Sequence, residues 1–231
     1  MINNKTVLAV IPARGGSKRL PRKNILSLCG KSLIAWSIDA ARNSHYIDHI
    51  VVTTDDDEIA EEAKRCGALV PFIRANHLSS DTATTEDVIK DCLSQLDDLN
   101  VDIIVILQPT SPLRSSEDID EAITLLMEKD AGGIVSVTAC EHPIFWCNTL
   151  PINNNMGGFI KHEYAGKRSQ DLPVSYRING AIYVFTALRI MNHGLHLDEQ
   201  VFASIMPNER SIDIDTKIDF KLAELLLDSR G

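Results

Sequence analysis

Cysteine, positive charge and long apolar runs are all in short supply in this chain, and each shortage removes a class of function. The five cysteines, Cys29, Cys66, Cys92, Cys140 and Cys147, are odd in number and scattered, with none in Cys-x-x-Cys spacing. A zinc knuckle and a disulfide framework are therefore not expected, and the thiols read as reduced. Lysine and arginine total 23 against 32 aspartates and glutamates, a net charge of −9. General nucleic-acid or membrane-surface binding needs a positive field that this balance does not supply. No apolar run approaches the ~18 residues of a membrane span, and Met1–Val7 has no hydrophobic leader core, so a cytoplasmic location is expected. What remains is ample core material: 44% hydrophobic residues in 231, with no repeat or low-complexity tract, suits one α/β domain carrying an insertion.

Against the acidic background stands one basic stretch, IPARGGSKRLPRKN, from Ile11 to Asn24. The apolar run before it, Val7–Ile11, reads as a short buried strand. Gly15 and Gly16 allow a sharp turn and close approach to the backbone. Arg14, Lys18, Arg19, Arg22 and Lys23 surround them, with Ser17 and Asn24 as neutral hydrogen-bonders. Main-chain N–H groups with converging guanidinium and ammonium groups are what a polyphosphate requires. A solvated basic loop is the plain alternative, and the strand and glycines weigh against it. The loop is neither a Walker sequence, which ends in Gly-Lys-Ser/Thr, nor GxGxxG.

The rest of the chain alternates strand and helix. Helices are expected over Lys31–Arg42, Glu58–Cys66, Glu86–Leu96, Glu117–Lys129 and Lys217–Ser229, and strands over His49–Thr54, Ala68–Ile73, Asp102–Leu107, Gly133–Thr138, Ile178–Phe185 and Val201–Met206. The acidic triplet Asp55, Asp56 and Asp57 is read as capping a helix, in preference to binding metal. QPTSPLR, Gln108–Arg114, follows the most apolar strand, where an open α/β sheet places its ligand crevice. Residues 139–176 are rich in proline, glycine and asparagine and read as an excursion from the sheet. Near the end, Asp213 and Asp215 in SIDIDT alternate with Ile212 and Ile214 and so share a side; capping by Asp215 is one reading, a Mg²⁺ site the preferred one. His193 and His196 lack acidic company and are read as surface residues. The architecture expected is a three-layer α/β/α sandwich with a mostly parallel, Rossmann-like sheet.

These motifs, in this order, resemble the acylneuraminate cytidylyltransferases (CMP-sialic acid synthetases), from Ile11 to the final helix. Many members carry Gly where this chain has Arg19. The resemblance implies a fold of the nucleotide-diphospho-sugar transferase type and transfer of CMP from CTP to the anomeric hydroxyl of a nine-carbon 2-keto sugar acid, with release of pyrophosphate. It assigns Arg14, Gly15, Gly16, Ser17, Lys18, Lys23 and Asn24 to the nucleotide and its phosphates. Arg74, Asp81, Ala83 and Thr85 match its cytidine loop, and cytidine binding is carried over to Arg74, Ala83 and Thr85. Gln108, Thr110 and Ser111 approach the sugar acid, Arg168 pairs with its carboxylate with Arg177 as fallback, and Gln170, Asn179 and Tyr183 lie nearby. Asp213 and Asp215 hold Mg²⁺, and Arg14, Lys18 and the two aspartates carry the chemistry. No side chain stands out as general base, which leaves a metal-bound hydroxide or the substrate alkoxide.

The same resemblance makes residues 139–176 an arm packing across a homodimer, with His142, Phe145 and Trp146 in it; a local hydrophobic mini-core is the other reading of those aromatics. A sialic-type acid is the first expectation for the acceptor. Ile144, Phe145 and Trp146 stand where some sialic acid enzymes present a Lys, which leans toward legionaminic acid, with pseudaminic acid or KDO as further alternatives. A non-catalytic nucleotide-binding regulator of the same fold is the competing class.

Overall fold

The computed structural model describes residues 2–80, 82–96 and 99–229. In chain order they form strand β1 (Val7–Pro12), a short hairpin of β2 (Ser27–Leu28) and β3 (Lys31–Ser32), helix α1 (Leu33–Asn43), β4 (His49–Thr53), α2 (Asp57–Arg65) and α3 (Thr85–Ser94). There follow β5 (Ile103–Leu107), α4 (Ser116–Glu128), β6 (Gly133–Ala139), β7 (Tyr176–Thr186), α5 (Ala187–His193), β8 (Val201–Ile205) and α6 (Lys217–Asp228).

The main sheet has the strand order β4-β1-β5-β7-β6-β8. β7 is antiparallel to both neighbours, and the remaining adjacent pairs are parallel. Strands buried on both faces must be apolar at every position, and β1 and β5 meet that demand. Val7, Ala9 and Ile11 join Ile34, Ile59 and Ile123 on the side of α1, α2 and α4. Leu8 and Val10 join Ile89, Cys92 and Ile190 on the side of α3 and α5. Helix α6 packs through Ala223 and Phe220 against Leu28, Leu33 and Leu113 in a third cluster. The expected sandwich and its mostly parallel sheet are observed.

Helix starts follow capping chemistry. Asp56 caps α2, accepting from the Ile59 N–H at 3.1 Å. Thr84, Ser115 and Thr216 each form a reciprocal capping box, with Asp87, Asp118 and Asp219. Thr216, and not Asp215, therefore caps α6, so the capping reading of Asp215 is set aside.

The structure departs from expectation at two places, and bears out the excursion from the sheet at a third. Ala68–Ile73 is not a strand: it touches β4 through isolated bridges at Leu69 and Ile73 only. Pro71 supplies no N–H, and Leu69 and Ile73 stay about half exposed, so the segment neither extends a ladder nor buries a face. Helix α5 was not foreseen; it starts at the Thr186 cap, ends at Gly194 and contains His193. Residues 140–175 hold only short 3-10 turns, at Ile144–Trp146, His162–Tyr164 and Ser169–Asp171. Their root is closed by the Cys140 N–H donating to the Ser175 carbonyl and by an Arg177–Glu141 ion pair at 2.9 Å. That pairing uses Arg177 at the root.

A buried guanidinium ties these layers together. Arg114, 4% exposed, donates to the Gln108 carbonyl at 3.0 Å, the Ala181 carbonyl at 2.8 Å and the Ser37 hydroxyl. It joins the end of β5 to β7 and α1. Burial pushes its pKa down to about 9, so it still carries its charge at neutral pH. A second polar knot centres on Asn179, 2% exposed, which accepts from Ser136 Oγ at 2.6 Å and donates to Ser211 Oγ at 2.9 Å. Asn179 is thus a buried structural residue and not a pocket residue. Arg114→Ala strands two carbonyls and a hydroxyl in the interior. We expect it to cost about 3 kcal/mol or more of stability, read as a lowered urea midpoint at unchanged m-value; a midpoint within error of wild type would refute this role.

Candidate active site

The C-terminal ends of β1, β4 and β5 lie side by side, Pro12 in register with Thr53 and Val10 with Ile106. Their following loops therefore open on one edge of the sheet and meet the segment before α6. Between them is a cavity of about 590 Å³.

The loop after β1 forms its first wall. Arg14, Ser17, Lys18, Lys23 and Asn24 all line the cavity, together with Arg19. Acidic residues from the β4 end brace this loop from behind. The Gly15 N–H donates to Asp55 Oδ1 at 3.1 Å, and Arg22 pairs with Asp56 at 2.5 Å and with Glu58. Asn24 Nδ2 donates to the Arg14 carbonyl at 2.9 Å, which fixes the start of the loop to its end. The two glycines serve different ends. A Cβ on Gly15 would meet Asp56 Oδ2 at 2.6 Å, whereas one on Gly16 meets nothing within 4 Å. Neither glycine adopts positive φ; the left-handed residue of the loop is Arg22, at φ 58°. Close packing, not turn geometry, is what demands Gly15.

The second wall comes from the segment after β4. Arg74 is 4% exposed, pairs with Asp55 at 3.5 Å and donates from Nε to Ser79 Oγ at 3.0 Å. Burial lowers its pKa, and Asp55 acts in the opposite direction to hold the charge. Ala83 and Thr85 line the same side with Leu78 and Val88, which gives this end an apolar slot beside a buried guanidinium. Asp81 lies outside the described residues.

The third wall joins the β5 end to the segment before α6. Gln108 and Thr110 line the cavity, and the Ile214 N–H donates to the Thr110 carbonyl at 2.8 Å. Ile212 and Ile214 pack into the third core cluster, which turns Asp213 and Asp215 the other way. The alternation expected from the sequence holds here without any strand ladder. Asp213 is an exposed residue, although the protein around its carboxyl partly desolvates it. This crowding raises its carboxyl pKa, opposed by a hydrogen bond from Thr110 and reinforced by the charge of Asp215. Asp215 lines the cavity and takes one cation on each oxygen: Arg19 at 2.8 Å on Oδ2 and Lys23 at 3.1 Å on Oδ1. Lys23 also donates to the Ile214 carbonyl at 2.6 Å.

The pair offers hard oxygen donors, those of Asp215 already engaged by Arg19 and Lys23. Among the described residues no cluster of three or more His, Cys, Asp or Glu side chains is arranged around a metal. Two carboxylates without a full cage would suit Mg²⁺, an ion that ordinarily keeps several of its waters.

Four expected residues are placed elsewhere. Ser111 is fully buried beneath its loop, and its Oγ has no hydrogen-bond partner among the described residues. Tyr183 lies on β7 against the core cluster of the α3/α5 side, its phenol pKa raised by burial and by the charge of Asp213. Arg168 and Gln170 sit on the exposed arm, where Arg168 pairs with Asp171 at 2.9 Å. None of the four lines the cavity of its own chain, and neither do Gly15, Gly16 or the exposed Asp213, whose neighbour Asp215 does. Sequence reasoning missed Asp55 and Asp56 as braces of the basic loop. The available signal was position: an acidic triplet and a basic loop each directly follow a strand.

The glycine pair makes a sharp test. Gly15→Ala must displace Asp56 from Arg22 and, on the expectation from the sequence that this loop holds a nucleotide, should raise its KM roughly tenfold or more, the cost of about 1.4 kcal/mol of misplaced loop. Gly16→Ala should stay within about twofold of wild type, and steady-state kinetics showing equal effects would contradict this packing argument.

Comparison with known proteins places this geometry. A family model described as cytidylyltransferase matches residues 8–224. A CMP-N,N'-diacetyllegionaminic acid synthase of Legionella pneumophila subsp. pneumophila is 38% identical over 96% of this chain and 96% of its own length. A pseudaminic acid cytidylyltransferase of Campylobacter jejuni subsp. jejuni is 35% identical over 95% of each. Among solved structures, a CMP-2-keto-3-deoxy-manno-octonic acid synthetase complexed with CTP superposes with a TM-score of 0.75, covering 98% of this chain and all of that one, at 16% identity, which speaks to the fold alone. With an α/β sandwich whose strand ends gather a basic loop and an acidic pair, and with a match running almost end to end, the chain belongs to the cytidylyltransferase family.

Proposed function

We propose that this chain transfers CMP from CTP to the anomeric hydroxyl of a nonulosonic acid of the legionaminic type, releasing pyrophosphate. The observation that carries this reading is the single cavity in which Arg14, Lys18, Arg74, Gln108, Thr110 and Asp215 converge from separate loops. The acceptor follows from two supports. The relatives' names give legionaminic and pseudaminic acids, which favours those alternatives over N-acetylneuraminic acid. By the resemblance, Ile144, Phe145 and Trp146 follow His142-Pro143 in sequence where some sialic acid enzymes present a Lys.

In this reading Arg14, Ser17 and Lys18, with the backbone of Gly15 and Gly16, hold the triphosphate, while Lys23 and Asn24 keep the loop in shape. Arg74, Ala83 and Thr85 hold the cytidine, and Gln108 and Thr110 the sugar acid. The hydroxyl oxygen attacks the α-phosphorus, a new P–O bond forms, and the bond to the bridging oxygen of pyrophosphate breaks. The hydroxyl proton passes to solvent, which leaves the substrate alkoxide as the attacking group. Catalysis is then positioning and charge neutralisation. Mg²⁺, held by Asp213 and Asp215, would supply charge neutralisation at the triphosphate and a lower pKa for the attacking hydroxyl.

We further propose that the chain is one catalytic domain whose arm, residues 139–176, packs across a second copy. Phe145 stacks on Tyr164 at 4.3 Å, a small local cluster, but much apolar surface stays open. Ile178, Val137 and Ile205 form a row across β7, β6 and β8, with Ile178 48% and Ile205 61% exposed. A patch of this kind favours a covering partner. Arg168 and Gln170 of each copy would then serve the pocket of the other. No helix among the described residues is long and apolar enough to cross a membrane, and a cytoplasmic location accords with a CTP-consuming reaction.

Pyrophosphate release with CTP and Mg²⁺ should be seen with legionaminic acid and exceed that with N-acetylneuraminic, pseudaminic and KDO acids. CTP binding without release across the panel would favour the regulatory reading. Arg14→Ala should lower kcat by about 100-fold or more; an unchanged kcat would sink the phosphate assignment. Ile178→Asp should shift the chain from dimer to monomer in sedimentation velocity, and a monomeric wild type would end the arm proposal.

A further inference from the structure

Asp215 holds two cations, and they are not equivalent. Lys23 is 11% exposed at its side chain and is fastened twice, to the Ile214 carbonyl and to Asp215 Oδ1. Arg19 reaches Asp215 Oδ2 from the outer part of the loop with 73% of its side chain exposed. Lys23 is thus built into the wall, while the Arg19 contact is an exposed ion pair of the kind that contributes little and breaks readily. Each carboxylate oxygen already holds a cation, so a divalent cation entering at Asp215 competes with these two partners for the same charge. The cheaper one to displace is Arg19. Arg19 lines the same cavity as Arg14 and Lys18.

We propose that Arg19 is an exchangeable counter-charge: it neutralises Asp215 in the empty pocket and leaves it when the divalent cation binds, so that metal entry and the position of the basic loop are coupled. This rests on the reading of Asp213 and Asp215 as the metal site, and makes Arg19 a positioning residue for that site. Arg19 is a surface side chain, so Arg19→Ala is compatible with folding.

The test is a titration of Mn²⁺ into the nucleotide-free protein, followed by electron paramagnetic resonance. Removing a competitor worth an exposed ion pair should tighten Mn²⁺ about two- to fivefold in Arg19→Ala. Asp215→Asn should abolish or greatly weaken the site. If Asp215→Asn binds Mn²⁺ as wild type does, the metal-site reading fails and the exchange falls with it. If Asp215→Asn loses the site while Arg19→Ala matches wild type, the metal site stands and the exchange alone is overturned. A second readout separates exchange from a general loss of positive charge. Phenylglyoxal labelling of Arg19, followed by peptide mass spectrometry, should quicken on adding Mg²⁺ to wild type and be fast without Mg²⁺ in Asp215→Asn. Labelling that is indifferent to Mg²⁺ would refute the release of Arg19.

Discussion

Five cations between Arg14 and Lys23 repel one another, and the architecture around them is set by the need to hold that charge in place before any ligand arrives. Two neighbouring structures answer the repulsion. From the end of β4, Asp55 takes the Gly15 N–H and Asp56 takes Arg22. From the segment before α6, Asp215 takes Arg19 and Lys23. The carboxylates lie behind and beside the loop, which leaves Arg14 and Lys18 on the cavity wall. An acidic protein can in this way present a local positive site, because short-range pairing and burial count for more at the pocket than net charge does.

The chain uses buried guanidinium groups in two distinct ways. Arg114 is spent on neutral carbonyls and a hydroxyl, and by doing so fixes the β5 end against β7 and α1. Arg74 has one carboxylate, at 3.5 Å, and one hydroxyl, and it faces the cavity. The first is a structural rivet. The second retains capacity for a ligand acceptor, which is the difference expected between a core arginine and a binding one.

The acidic pair near the C-terminus depends on residues far away in sequence. Asn179 donates to Ser211 Oγ, the buried Asp118 takes Arg210 through three hydrogen bonds of 2.7 to 3.2 Å, and the Thr110 carbonyl accepts from the Ile214 N–H. The segment carrying Asp213 and Asp215 has no ladder of its own, so these contacts, with the burial of Ile212 and Ile214, supply the rigidity that a strand would have given. Their cost is buried polar groups that must all be satisfied together.

The sequence by itself determined the layers and named many of the side chains that line the cavity. Continuous apolar runs such as Ile103–Leu107 admit only a strand buried on both faces, capping residues mark the helix starts, and the basic loop, Arg74, Gln108 and Asp215 carry their chemistry wherever the strand ends bring them. It failed where the deciding contact was not local. Ala68–Ile73 has strand-forming residues but lies along a sheet edge with Pro71 in its middle and too little to bury. Ser111 and Asn179 have the polarity of ligand contacts and were claimed by the interior. Arg168 and Gln170 match a substrate motif, yet the arm carries them away from their own pocket. Only the tertiary structure decided that the Asp55–Asp57 triplet braces the basic loop as well as capping α2, and that Arg19 rests on Asp215. Each of these depends on which strand ends are neighbours in space, and strand order is set by packing across the whole sheet, not by any stretch of the chain alone.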